Sequence, residues 1–210
     1  MTHHGSEHHG LVYPDPETPP TPAGRAAQTP PYAALMAQRL DDRQAARLEA
    51  APLTYEAVGA TATSPPAGWH SFSHSRVLRR TDLSALADEL LTWQVQERSG
   101  LRAAASTERI GEGTVVVLRL GLGPLSLRIP CRVIDVVDTD EEVSFTYGTL
   151  PGHPERGEER FALHRLPDGS VRMTVTAFSR PGSLLARLGG PATRAFQAFM
   201  ARRYLVSLDR

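Results

Sequence analysis

The sequence predicts an α+β fold in which a run of antiparallel strands is followed by a long C-terminal helix. Three observations predict it. From Thr114 onward the apolar residues take a strand period, first in the apolar run Val115–Leu120 and then in alternating stretches. Two hairpins can be placed, at Leu166–Ser170 and around His153. After Pro191 the spacing returns to a helical one through Ala192, Ala195, Phe196, Phe199, Arg203 and Tyr204.

The chain has 210 residues and 40% apolar content, enough for one domain with a core plus an appendage. Basic and acidic side chains balance at 23 each. That balance gives no support for nucleic-acid binding. Cys131 is the only cysteine, so no internal disulfide forms and a reducing cytoplasm is the simplest compartment. No apolar run approaches the ~18 residues of a membrane span. His and Pro stand at the N-terminus where a signal peptide has an apolar segment, so a soluble intracellular protein is expected.

Residues 1–31 hold seven prolines from Pro14 to Pro31, and a disordered tail is expected. His3, His4, His8 and His9 are read as solvated, because a metal site on a floppy chain must also order that chain. Residues 32–52 are expected to form a helical arm, with the helix over Tyr32–Ala51 carrying a thin stripe of Leu35, Met36, Leu40 and Leu48. The compact domain is expected over 53–210. Trp69–Arg79 reads as an edge strand with His70 and His74 on one face, a pair with no carboxylate nearby to complete a metal site. One helix is expected from Thr81 or Asp82 as N-cap to Gly100 as stop, with Leu83, Leu86, Ala87, Leu90 and Trp93 at helical spacing. Trp93 reads as core, or as the floor of a cavity if that helix closes one.

Gly121-Leu-Gly123 lacks the third glycine of a dinucleotide site and is followed by a strand, so no cofactor is expected there. Leu125, Leu127, Ile129, Cys131 and Val133 alternate with polar residues, and Pro130 places that strand at an edge or a bulge. Asp138–Glu141 turns the chain into the strand of Val143, Phe145 and Tyr147. Ser183–Leu188 reads as about one helical turn before Gly189-Gly190. Phe196, Phe199 and Tyr204 read as core residues of the last helix.

Parity fixes the register. A three-residue turn at Pro167–Gly169 pairs Leu166 with Ser170, which places Leu163 opposite Met173, Phe161 opposite Val175 and Glu159 opposite Ala177. A hairpin centred on His153 places Tyr147 opposite Glu159 and Phe145 opposite Phe161. A one-residue slip would put polar residues on the apolar face. Glu159 then shares that face with Tyr147, Thr149 and Ser179, while Glu158 points the other way, toward solvent. An inward carboxylate needs a partner such as Tyr147 or Arg180. Glu159 is either a structural anchor or a polar group in a pocket.

The stretch FTYGTLPGHPERGEERF over 145–161, with AFSRP over 177–181 and LTYEAVGAT over 53–61, resembles the family called domain of unknown function nineteen-ninety. The resemblance covers about residues 53–208 and brings no established activity. Through that family the chain is similar to the helix-grip superfamily of lipid-transfer and polyketide-cyclase-like domains. The resemblance implies a curved antiparallel sheet wrapped around the long C-terminal helix, with a cavity between them. The superfamily has two short helices after its first strand where this sequence shows one. The leading reading is a module holding a small, mainly apolar ligand, with Tyr147, Thr149, His153, Glu159, Phe161, Ser179, Arg180 and Trp93 as candidate contacts. A second reading is an enzyme using His153 with Glu159 or Glu155 as acid and base, which requires His153 to come within hydrogen-bond reach of a pocket carboxylate, directly or through one water. A metal variant on His153, Glu155 and Glu158 is disfavoured because two of them sit on a loop tip. A third is a protein-interaction module acting through the tail and arm.

Overall fold

The computed structural model describes residues 37–121, 123, 126–182 and 190–209, the side chains of the last segment from position 195. The expectations for residues 1–31, for Leu35 and Met36, and for Ser183–Leu188 lie outside the described residues.

The strands are β1 (Gln38–Arg39), β2 (His70–Val77), β3 (Arg102–Ala105), β4 (Val115–Leu120), β5 (Leu127–Asp138), β6 (Glu142–Thr149), β7 (Glu155–Arg165) and β8 (Val171–Pro181). They form one sheet in the order β1-β3-β4-β5-β6-β7-β8-β2, antiparallel except at β1–β3. The helices are α1 (Asp42–Glu49), α2 (Leu83–Leu90), α3 (Gln94–Arg98) and the C-terminal α4 (Gly190–Ser207). Side chains from β2, β4, β5, β6, β7, β8 and α4 line one shared cleft, as a sheet curved around its last helix requires.

Both hairpin registers are as parity demands. Tyr147 pairs with Glu159 and Phe145 with Phe161, and Leu163 pairs with Met173, Phe161 with Val175 and Glu159 with Ala177. The turn closes with the Leu166 amide donating to Ser170 O at 2.8 Å, and Gly169 takes a φ of 81° that L side chains avoid. The inward face of these strands carries Phe145, Phe161, Leu163, Met173 and Val175, all fully buried against α2, α3 and α4.

Four local expectations are corrected. The arm helix is shorter than 32–51. Asp41 caps it, accepting from the Gln44 amide at 2.9 Å, and Gln38–Arg39 form a strand beside β3 instead. Leu40 is buried with Val115, Val117 and Leu150 on the outer face of the sheet. The helix after β2 is two helices, because Trp93 turns left-handed at φ 64° and sinks its ring against Phe145 at 5.8 Å. An ion cluster holds that corner: the buried Glu89 accepts from Arg80 at 2.9 Å and from Arg98 at 2.6 Å. Those arginines also donate to the Leu208 and Ser207 carbonyls at the end of the chain.

Pro130 lies in an interior strand between β4 and β6, and the register shift falls at Val133–Asp135. The proline is tolerated because β6 has ended there: Leu150 donates to Pro130 O, while its own carbonyl accepts from the His153 amide at 3.1 Å. Finally, the hairpin tip is tight. β6 runs to Thr149 and β7 starts at Glu155, so of His153, Glu155 and Glu158 only His153 lies in the loop and the two carboxylates stand in a strand.

Candidate functional site

The outer face at the hairpin end is covered, which changes the reading of Glu158. Segment 53–62 lies across it and packs Tyr55 and Ala60 around Phe178. Glu158 is buried there at 3% exposure, accepting from the Gly59 amide at 2.5 Å and from the Thr61 amide and hydroxyl at 3.2 and 3.0 Å. Its direction relative to Glu159 is as parity requires, but its surroundings are protein instead of solvent. Two glycines let the layers approach. A Cβ on Gly148 would meet the Tyr55 ring, and one on Gly157, at φ 147°, would meet the Phe178 carbonyl oxygen. Farther along the same face, Ser144 is also buried, under an Arg160 that reaches Glu142 at 2.5 Å and Ser144 Oγ at 2.9 Å.

On the inner face the sheet and α4 leave a cleft of about 440 Å³. Its walls are largely apolar, from Phe72, Leu118, Leu127, Ile129, Ala177 and Met200. One end is polar. The Tyr147 hydroxyl donates to Glu159 Oε2 at 2.5 Å, with Tyr204 of α4 beside them. Gln197 of α4 donates to both carboxylate oxygens of Glu155, at 2.9 and 2.8 Å, and lies 3.0 Å from Ser179 Oγ, tying helix to sheet across the cleft. Thr149 Oγ1 accepts from the Gly157 amide at 3.0 Å and lies 2.6 Å from Thr54 Oγ1.

Burial pushes the Glu159 carboxyl up to about 7, against the Tyr147 hydrogen bond and with the help of the neighbouring Glu155 charge. Burial likewise raises Glu155, opposed by its bonds to Gln197 and Ser179 and by His70. The Tyr147 and Tyr204 phenols and the Cys131 thiol are raised by burial first and by Glu159 second. His153 is pushed the other way, to about 4, by burial. Its Nδ1 lies 2.9 Å from both the amide nitrogen and the carbonyl oxygen of Glu155, so that one residue's backbone fixes the ring.

Of the residues singled out from the sequence, Tyr147, Thr149, His153, Glu159 and Ser179 line the cleft. Phe161 lies one layer deeper, stacked on Phe145 and met edge-on by Tyr204. Trp93 is fully buried behind Phe145 and does not line the cleft. Arg180 turns to the outer face, 4.2 Å over the Trp69 ring, and lines a separate groove with Leu53–Glu56. His153 is bound to backbone and, among the described residues, makes no direct bond to a cleft carboxylate, so the direct form of the contact that the acid–base reading needs is missing. No group of three or more metal-ligating side chains occurs among the described residues. Phe72, Gln197, Met200 and Tyr204 were not singled out as contacts. Phe196 and Phe199, read as core, are 40% and 52% exposed, with Phe196 lining the cleft.

The titration of Glu159 makes a prediction about stability. In an unfolded chain it ionises near 4.3. In the folded protein it does so near 7. As pH rises between those values the unfolded chain loses its proton first, and this group's contribution to stability falls. His153 acts oppositely, losing stability as pH drops from about 6.5 toward its folded value of about 4. Glu159→Gln removes only the first effect. The melting temperature of the variant minus that of the parent is therefore expected to climb from about pH 4.3 to 7 and level off above. Thermal unfolding across that range checks it, and a difference independent of pH contradicts it.

Comparisons with known proteins agree with this architecture. The family model described as domain of unknown function (DUF1990) matches residues 54–207. A UPF0548 protein of Deinococcus radiodurans is 40% identical over 114 residues, 50% of this chain and 58% of that protein. A UPF0548 protein of Dictyostelium discoideum is 41% identical over 78 residues, 31% of this chain and 36% of that one. The matched stretches thus span less than two thirds of either relative. A crystal structure of a hypothetical protein from Helicobacter pylori superposes with a TM-score of 0.55 at 9% identity, covering 66% of this chain and 85% of that one. That likeness concerns the fold.

Proposed function

The chain belongs to the DUF1990 family, and we propose that the cleft between its sheet and α4 holds a small and mainly apolar molecule by one polar end. The observation that carries this reading is the cleft between sheet and α4, about 440 Å³ in volume, with apolar walls and one polar end at Tyr147, Glu159, Glu155 and Ser179. Ligand sites combine mostly apolar walls with a few placed polar groups in this way. A packed core would hold no such space, and a carboxylate raised by burial is costly to keep without a use. Phe72, Met200 and Phe196 would flank the ligand body, with Gln197 and Tyr204 placing α4 over its polar end. The alternative of acid–base catalysis through His153 has less support, since its ring is tied to the Glu155 backbone and, among the described residues, makes no direct bond to a cleft carboxylate.

No helix among the described residues is long and apolar enough to cross a membrane. A soluble cytoplasmic site of action remains part of the proposal, as does the division into tail, arm and domain.

Native mass spectrometry of protein purified without detergent tests the binding reading. A retained small molecule in stoichiometric amount is expected, lost when Ala177→Trp fills the cleft. Apo protein alone, both as purified and after incubation with medium-chain alcohols, amines and acids, would overturn it.

A further inference from the structure

The charges inside the cleft identify the polar end of its ligand, on the reading above that the cleft holds one. The charged side chains that line it are acidic: Glu159 and, from the same strand, Glu155, while the carboxylate of Glu158 is used on the outer face by Gly59 and Thr61. Among the described residues no Arg or Lys lines the cleft, although basic and acidic residues are equal in number over the whole chain. Three guanidinium groups of the described residues are committed elsewhere. Arg180 covers Trp69, Arg203 donates to Ser99 O, and Arg160 is bound to Glu142 and Ser144 on the outer face.

Among the described residues, the two inner carboxylates have only neutral hydrogen-bond partners. Glu159 has one, the Tyr147 hydroxyl. Glu155 has Gln197 and, across β8, Ser179. Among the described residues, the groups that face Glu159 from the elements packed on it are Tyr147 of β6, Cys131 of β5, Tyr204 of α4 and, from its own strand, Glu155. None of them is a cation. His70 of β2 acts on Glu155 and is exposed. The rings around this end are Phe72, Tyr147, Phe196 and Tyr204. Carboxylates among aromatic faces are a setting that attracts a positive group and repels an anion.

From this we infer that the cleft takes an amphipathic amine: an apolar body whose protonated nitrogen sits at Glu159, against the Tyr147 and Tyr204 rings and within reach of Glu155. Burial holds both carboxylates above their ordinary range, and their neutral hydrogen-bond partners offset it only in part. A bound ammonium supplies the missing counter-charge and favours the ionised form. An anionic head such as a fatty-acid carboxylate would bring a third like charge into the same end.

Titration calorimetry with decylamine, decan-1-ol and decanoate, which share one chain and differ in head group, tests the inference. The amine is expected to bind at least about tenfold tighter than the alcohol at pH 8, equal to about 1.4 kcal/mol, with decanoate weakest. Amine affinity should fall from pH 8 to pH 5 as Glu159 takes up its proton, while alcohol affinity stays constant. Glu159→Gln should bring the amine down to the level of the alcohol and leave the alcohol unchanged. The pH series uses the unaltered protein, so the test stands even if the variant fails to fold. Alcohol or decanoate binding as tightly as the amine overturns the head-group assignment and leaves the cleft reading intact. Binding of none of the three removes both.

Discussion

Phe161→Ala is expected to destabilise the domain by about 3–5 kcal/mol, the loss found when a large ring is deleted from a close-packed interior. Phe161 is fully buried and joins three elements. It stacks on Phe145 of β6 at 5.1 Å with 15° between the planes, leans on Tyr147 at 5.7 Å, and receives the Tyr204 ring of α4 edge-on at 5.1 Å. Because its neighbours are fixed by two ladders and a helix, the space left by alanine closes poorly, which places the cost toward the upper part of that range. Arg172→Ala, at an exposed position on β8, should shift the urea midpoint little. Similar losses for the two variants would contradict the placement of Phe161.

Gly157→Ala is expected to be comparably damaging, at about 2–6 kcal/mol, combining the 1–3 kcal/mol of a strained dihedral with the 1–3 kcal/mol of an overpacked contact. Gly157 sits at φ 147°, and a Cβ there would stand 2.0 Å from the Phe178 carbonyl oxygen. That oxygen belongs to the backbone of the paired strand, so relief requires β7 and β8 to part. Gly169→Ala is the informative comparison. Its φ of 81° is also unfavourable, but nothing lies within 4 Å of the added methyl, so only the dihedral cost remains. Chemical denaturation should rank Gly157→Ala well above Gly169→Ala. The reverse order would mean that the approach of β7 to β8 is not as described.

What the sequence revealed and what it concealed have physical causes. The registers around Glu159 were legible because a period of two and a three-residue turn leave one pairing that keeps Phe145, Phe161 and Met173 together. The surroundings of Glu158 were not. An acidic residue on the outer face reads as solvated, and its partners at Gly59 and Thr61 are backbone groups almost a hundred positions away. Ser144 was concealed in the same way beneath Arg160. Trp93 fits the helical spacing of Leu83, Leu86 and Leu90, and that periodicity cannot register a left-handed residue that splits the helix. On α4, contact with a core and contact with a cleft need the same apolar spacing. Tyr204 therefore reads as packing, and Met200 and Gln197, the latter carrying the bonds to Glu155, gave no signal at all. The two short helices α2 and α3 also remove the one mismatch with the helix-grip arrangement that the sequence presented.

The central claim is that the space between sheet and α4 receives a ligand, and two methionines report on it directly. Met200 lines the cleft, whereas Met173 is fully buried among the inward residues of β7 and β8 and does not line it. With the methionine methyls labelled with carbon-13, titration with decylamine is predicted to move the Met200 methyl resonance saturably while the Met173 resonance holds its position. A Met200 resonance that stays fixed at saturating decylamine, or one that moves only together with Met173 as the fold is lost, would contradict it.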